Sequence, residues 1–188
     1  MAMIIGLCGS LRRDSLNRML LNAAVAAAPP GTLIEVASIR EIPLYDGDLE
    51  AAEGIPQAVQ DLKNKIAAAD GLLIATPEYN NAMPGVVKNA FDWLSRPGSD
   101  ITRVFYGRPV ALMGATPGQS GTMLSQAAWL PVLRTLGMRP WFEGRLQVSG
   151  AGKVFDVEGR VADPALQERI RIFVEGFAAF AEAQRRHT

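Results

Sequence analysis

Residues 6–20 read Gly-Leu-Cys-Gly-Ser-Leu-Arg-Arg-Asp-Ser-Leu-Asn-Arg-Met-Leu. A thiol, two hydroxyls, three guanidiniums and a carboxamide follow a short apolar run and precede a helical pattern. Such a strand-to-helix loop is suited to an anion, because the free N–H groups and the dipole at a helix start favour negative charge. Ser10, Ser15 and Asn17 add neutral donors, and Arg12 adds a charge-assisted one. The plain alternative is that Ser15 only caps the helix. The question is whose phosphate such a loop would hold: a protein substrate's, a nucleotide's or a cofactor's.

The surrounding residues exclude several owners. A dinucleotide fold places G-x-G-x-x-G here, but Gly6 is followed only by Gly9. A P-loop NTPase needs G-K-[ST] at the helix start, and the loop has no lysine. A receiver domain needs carboxylates at the ends of its first and third strands, where this chain has Cys-Gly-Ser and Thr-Pro-Glu. A small tyrosine phosphatase has Cys, five residues, then Arg. Counting from Cys8, that position is Asp14, whose carboxylate would repel the phosphate. Asp163-Pro164 resembles the general acid of that family, but a helix start explains it equally. Cys8 then reads as a small buried residue at a strand end.

Short apolar runs read as buried strands at 3–8, 32–38, 71–76, 109–115 and, more weakly, 145–150. Helical spacing lies between them. The first helix carries Leu16, Met19, Leu20, Ala23, Ala24 and Ala27, and the second Val59, Leu62, Ile66 and Ala69. A third starts at Pro84 and carries Val86, Val87, Ala90, Phe91 and Leu94. A fourth runs over 122–136, with Pro131 expected to kink or break it. The last has Asp163 as N-cap, Pro164 in the first turn, and then Leu166, Ile170, Phe173, Phe177 and Phe180. This alternation predicts an α/β fold with right-handed crossovers and a doubly wound, five-stranded parallel sheet. Ligands of such sheets bind at the carboxyl ends of the strands, which selects the loops 9–17, 77–83 and 116–121. The long connection 96–108 is read as a lid or a contact between subunits.

At 188 residues the chain is expected to form one domain. With 48% hydrophobic and 20% charged residues it should be compact. Nineteen basic and nineteen acidic side chains cancel, so there is no basic stripe for nucleic acid. Nor is there the acidic surface that steers a small electron carrier to its partners. A single cysteine excludes an internal disulfide and points to a reducing compartment. One histidine, His187, and one cysteine cannot make a thiolate or imidazole metal cluster. No stretch has the length of a secretory leader or a membrane span, so a cytoplasmic protein without a membrane partner is expected.

Two motifs carry a resemblance. "GSLRRDSLN" resembles the G-S-x-R-x-x-S-x-N signature of the NADPH-dependent FMN reductase family. "PEYNNAMPGVVKNAFDWLSRP" resembles its second signature, P-E-Y-N-x-x-x-P-G-x-x-K-N-A-x-D-W. Members known as quinone or chromate reductases carry both. The segment "GRPVALMGATPGQSG" is similar to the strand and turn that meet the far side of the flavin in this family. The resemblance implies a flavodoxin-like, three-layer α/β/α arrangement, FMN as cofactor and NADPH or NADH as reductant. It implies that Ser10, Arg12, Ser15 and Asn17 bind the FMN phosphate. Pro77, Glu78, Tyr79 and Asn80 would line the ribityl chain and ring. Thr116, Gly118, Gln119 and Gly121 would meet the ring from the third loop, although many relatives have a second glycine pair where Gln119-Ser120 stand.

Bland readings stand beside several of these roles. Tyr79 stacks on the ring or packs beneath its loop. Glu78 reads as an acceptor that braces a loop rather than an acid catalyst. Gly118 and Gly121 admit a planar ligand or simply form a turn. Lys88, Asn89 and Asp92 form a solvated helix face or, as the family implies, a subunit interface together with Trp93. No catalytic side chain is assigned, because the cofactor carries the chemistry. The expected cycle is ping-pong: NAD(P)H leaves before a small-molecule acceptor (quinone, flavin, azo compound or metal oxyanion such as chromate) takes its place. The family implies a homodimer or homotetramer. The alternative is a flavin-binding carrier or sensor without turnover.

Overall fold

Runs that are apolar at every position must be buried on both faces of a sheet, and they are. The computed structural model describes residues 1–185. In it, β1 spans Ala2–Cys8, β2 Thr32–Ala37, β3 Gly71–Ala75 and β4 Pro109–Ala115. All pair in parallel in the order β2-β1-β3-β4, with register such as Ile5 beside Leu72 and Ile74 beside Leu112. A broken edge follows: β5 (Arg139–Pro140) and β6 (Leu146–Val148) both pair with β4. The resulting order 2-1-3-4-5 is that of the flavodoxin-like sheet.

Side chains alternate across this sheet. Ile5, Leu7, Leu72 and Ile74 face one core, which is covered by α3 (Gln57–Ala68), α4 (Gly85–Leu94) and α6 (Met123–Thr135). Ile4, Cys8, Leu73 and Ala75 face the other, covered by α1 (Leu16–Ala26) and α7 (Pro164–Arg185). Gly6 suits the close approach of α1 to that face, since a Cβ there would lie 2.9 Å from Leu21 Cδ1 and the leucine would have to shift. Asp163 caps α7 as expected, its carboxylate accepting from Ala165 N at 3.0 Å.

Several expectations need correction. Two short helices, α2 (Gly47–Glu53) and α5 (Ile101–Val104), are absent from the apolar pattern. The edge strand is not confined to 145–150, because β5 precedes it and Trp141 turns inward between them onto Phe173 and Phe177. Pro131 does not break α6. It and Ala127 are exposed, so the carbonyl that proline leaves unbonded meets water, while Trp129 and Leu133 anchor the helix.

The connection 96–108 is not a lid, because it joins the end of α4 to the start of β4, at the amino ends of the strands and so at the end of the sheet opposite the selected loops. It is packed down: Val104 and Phe105 are buried, and Arg108 donates to the carbonyls of Ala67, Ala69, Arg103 and Val104. Lys63, on α3, reaches it with no exposed side-chain surface and pairs with Asp100 at 2.5 Å.

The Lys63 ammonium, helped by Arg103, holds the Asp100 carboxyl below its ordinary value of 3.8. A depressed native value contributes stability that is present above the ordinary value and is lost as the pH falls from there through the lower native one. Asp100→Asn should therefore be less stable than the parent at pH 6, with the gap in urea midpoint closing as pH falls below about 4.

Candidate functional site

The ends of β1, β3 and β4 bring the three selected loops together. They enclose a cleft of about 300 Å³ lined by Ser10, Arg12, Asp14, Ser15, Leu16, Asn17, Pro77, Glu78, Tyr79, Ala115, Thr116 and Pro117. Of the residues singled out from sequence, Asn80, Gly118, Gln119 and Gly121 stand outside this lining. Asp14, Leu16 and Pro117 lie within the selected loops without having been singled out as ligands, and Ala115 is the last residue of β4. Ala115 and Pro117 adjoin Thr116, so the strand-end rule reaches them.

The first loop is organised around donors. Ser15 is the N-cap of α1 and accepts from Arg18 N at 3.2 Å, so the capping reading holds. Its O–H can still donate into the cleft. The N–H groups of Leu16 and Asn17 belong to the first helical turn and have no carbonyl partner within the helix. Ser10 Oγ accepts from Arg12 N at 3.2 Å and lies 3.4 Å from Tyr79 Oη. Arg12 is exposed at the rim. Arg40, from the loop after β2, donates to Leu11 O at 2.5 Å and adds a second guanidinium to this corner. Sequence gave no signal for Arg40, because the contact joins loops far apart in the chain.

Cys8 lies directly beneath, 2% exposed, its Sγ donating to Ser10 O at 3.5 Å. That matches the buried role, and Asp14 stands at the cleft where a phosphatase would need arginine.

The second loop is a tight reversal. Tyr79 and Ala82 exchange backbone hydrogen bonds of 3.0 and 3.1 Å around Asn80 and Asn81, which sit at φ 51° and 61°. Asparagine is one of the few side chains that tolerates this region. Tyr79 is 46% exposed and not packed beneath its loop. Glu78 turns away from solvent: one carboxylate oxygen accepts from Ser120 Oγ at 2.8 Å, the other from Leu124 N at 2.8 Å and Ser125 N at 3.1 Å. It is a brace between loops, as read from sequence.

In the third loop the two glycines differ. Gly118 is exposed, and a Cβ there would meet only Thr116 Oγ1, at an ordinary contact distance of 3.7 Å. Gly121 is buried at φ 58°, and a Cβ there would lie 2.9 Å from Gln147 Cβ, so the turn and its packing explain it. On α4, Lys88 pairs with Asp92 at 2.5 Å on the half-exposed face. Asn89 and Trp93 do not form a surface patch with them. Trp93 has no exposed surface, its Nε1 donates to Pro43 O at 3.0 Å, and Asn89 binds Tyr45 N and Pro43 O. Both staple the loop that follows β2. His187 lies outside the described residues.

Hydroxyls, main-chain N–H groups and a guanidinium at a helix start, opening toward an exposed aromatic ring and an unobstructed glycine, suit a phosphorylated planar ligand. Residues 2–153 match the family described as NADPH-dependent FMN reductase. A NAD(P)H-dependent FMN reductase of Pseudomonas aeruginosa is 42% identical over 168 residues, 89% of each chain. A 2-hydroxy-1,4-benzoquinone reductase of Burkholderia is 34% identical over 177 residues, 94% of each. Among solved structures, the flavoenzyme NAD(P)H:(acceptor) oxidoreductase of Paracoccus denitrificans superposes with a TM-score of 0.87 at 30% identity, covering 98% of this chain and 99% of that one. The chain belongs to the NADPH-dependent FMN reductase family, whose members are oxidoreductases using FMN with NAD(P)H as reductant. No helix among the described residues is long and apolar enough to cross a membrane.

Proposed function

We propose that this chain is a cytoplasmic, single-domain NAD(P)H oxidoreductase that holds FMN in the three-loop cleft and reduces quinones. The donor set of the first loop carries the reading. Ser10, Arg12, Ser15 and the free N–H groups of Leu16 and Asn17 hold the phosphate, with Arg40 adding to the positive potential. Pro77, Glu78 and Tyr79 shape the wall beside the ribityl chain and ring, and Ala115, Thr116 and Pro117 form the opposite wall, with the exposed Gly118 and Gln119 beyond its rim. The redox chemistry, hydride from NADPH or NADH in and electrons out to an acceptor, is what FMN supplies when bound.

The protein's own part is binding, orientation and access. Tyr79 at the mouth and Leu124, whose N–H binds Glu78 in its wall, are exposed and offer apolar surface to a flat acceptor. Flavins, azo compounds and metal oxyanions such as chromate are further acceptors for the same open mouth. A homodimer or homotetramer is the expected assembly.

Arg12→Ala tests the phosphate assignment. Losing a charged hydrogen bond costs roughly 1.5–3 kcal/mol, about ten- to a hundredfold in FMN affinity. Riboflavin, which has no phosphate, should bind the variant and the parent alike. Unchanged FMN affinity in a flavin-fluorescence titration would reject the assignment.

A further inference from the structure

We infer that Asn17 and Glu78 are positioning residues that hold the third loop, 116–121, at its two ends, and that the Asn17 side chain is not a phosphate ligand. This rests on the FMN reading of the cleft. Asn17 is 4% exposed, and both of its polar atoms engage a single residue of β4. Nδ2 donates to Ala115 O at 2.8 Å, and Oδ1 accepts from Ala115 N at 2.9 Å. Turning that carboxamide toward a phosphate would strand a buried N–H and a buried C=O at Ala115. The main-chain N–H of Asn17 stays at the helix start and is free to bind, so the residue contributes there through its backbone alone.

Glu78 does the matching work at the other end. Its carboxylate binds Ser120 Oγ, Leu124 N and Ser125 N and so caps α6 from outside. Thr122, the residue in the cap position, makes no side-chain cap bond of its own. Between the clamps, Gly118 and Gln119 are exposed. The phosphate loop and the Pro77 loop therefore set the wall that faces the ring. Disturbing either clamp should loosen the flavin's ring side and leave its phosphate side intact.

The experiment compares FMN with riboflavin on apoprotein, by fluorescence titration, in Asn17→Ala, Glu78→Ala, Glu78→Gln and Arg12→Ala. Amide exchange of residues 116–125 is followed in the same proteins without flavin. Asn17→Ala and Glu78→Ala should each weaken both flavins by about tenfold, with their affinity ratio unchanged and exchange across 116–125 accelerated. Glu78→Gln should restore much of both, because a carboxamide oxygen can accept from the Leu124 and Ser125 N–H groups while its NH2 donates to Ser120. Arg12→Ala should change the ratio alone. If Asn17→Ala weakens FMN and spares riboflavin, Asn17 is a phosphate ligand and the inference fails. If Glu78→Ala leaves both affinities and the exchange unchanged, it fails at the other end. Should Asn17→Ala not fold, Asn17→Ser reads the same ratio with a smaller cavity. A parent protein that binds neither flavin would overturn the FMN reading itself, and the exchange data would still decide the clamps.

Discussion

Gly114→Ala should destabilise the protein by about 3 kcal/mol or more and abolish tight flavin binding with it. Gly114 lies near the end of β4, two residues before Thr116. A Cβ there would sit 1.9 Å from Thr122 Oγ1, 2.8 Å from Thr122 Cβ and 2.6 Å from Thr76 O. Rotating the threonine would move its Oγ1 but not its Cβ, and the carbonyl cannot yield cheaply either, because Thr76 N is bonded to Met113 O and Thr76 Oγ1 to Ser125 and Trp129. Relief would have to come from parting β3 and β4 beneath the cleft. Thr122 is itself held at φ 68°, a region that favours glycine. Adding Thr122→Gly to Gly114→Ala should recover part of the loss by removing one of the two collisions, and the Thr76 carbonyl should keep it from recovering all. Urea midpoints of the parent, the single variant and the double variant measure this directly.

Lys63→Ala should cost about 3–5 kcal/mol. The side chain has no exposed surface, and its ammonium serves both Asp100 at 2.5 Å and Arg96 O at 2.6 Å. Removal leaves a cavity among α3 and α5, a carbonyl without its donor and a carboxylate with only Arg103 at 3.3 Å. Asp100 is 27% exposed, so water softens its loss. Lys63→Met keeps the packed stem and should cost roughly half as much. Because the site lies at the other end of the sheet, both variants should bind FMN with parental affinity while folded. A thermal melt with and without FMN separates the two effects.

What the sequence disclosed follows from what local pattern can encode. β1, β3 and β4 are apolar throughout because both faces are buried, and Asp163-Pro164 spells out a helix start. The helix α2 was silent because none of its residues is buried, so there is no apolar stripe to detect. The two-residue strand β5 is too short for any periodicity and contains a proline. In the cleft, Ser10, Ser15 and Pro77 were legible because loop position and residue type suffice to find them. The bonds of Asn17 to Ala115 were not, since they span 98 residues and depend on which way a side chain turns. The same holds for Trp93, whose indole reads as a surface group until Pro43 is folded against it.

Quinones are Michael acceptors, and thiols are the nucleophiles they arylate most readily. An enzyme that handles them is exposed to inactivation by its own substrate. Here the chain has one sulfhydryl, Cys8, sealed under the loop 9–17 with its hydrogen directed at Ser10 O. The same packing that supports the loop 9–17 thus leaves the folded surface without a sulfhydryl for an electrophile to attack.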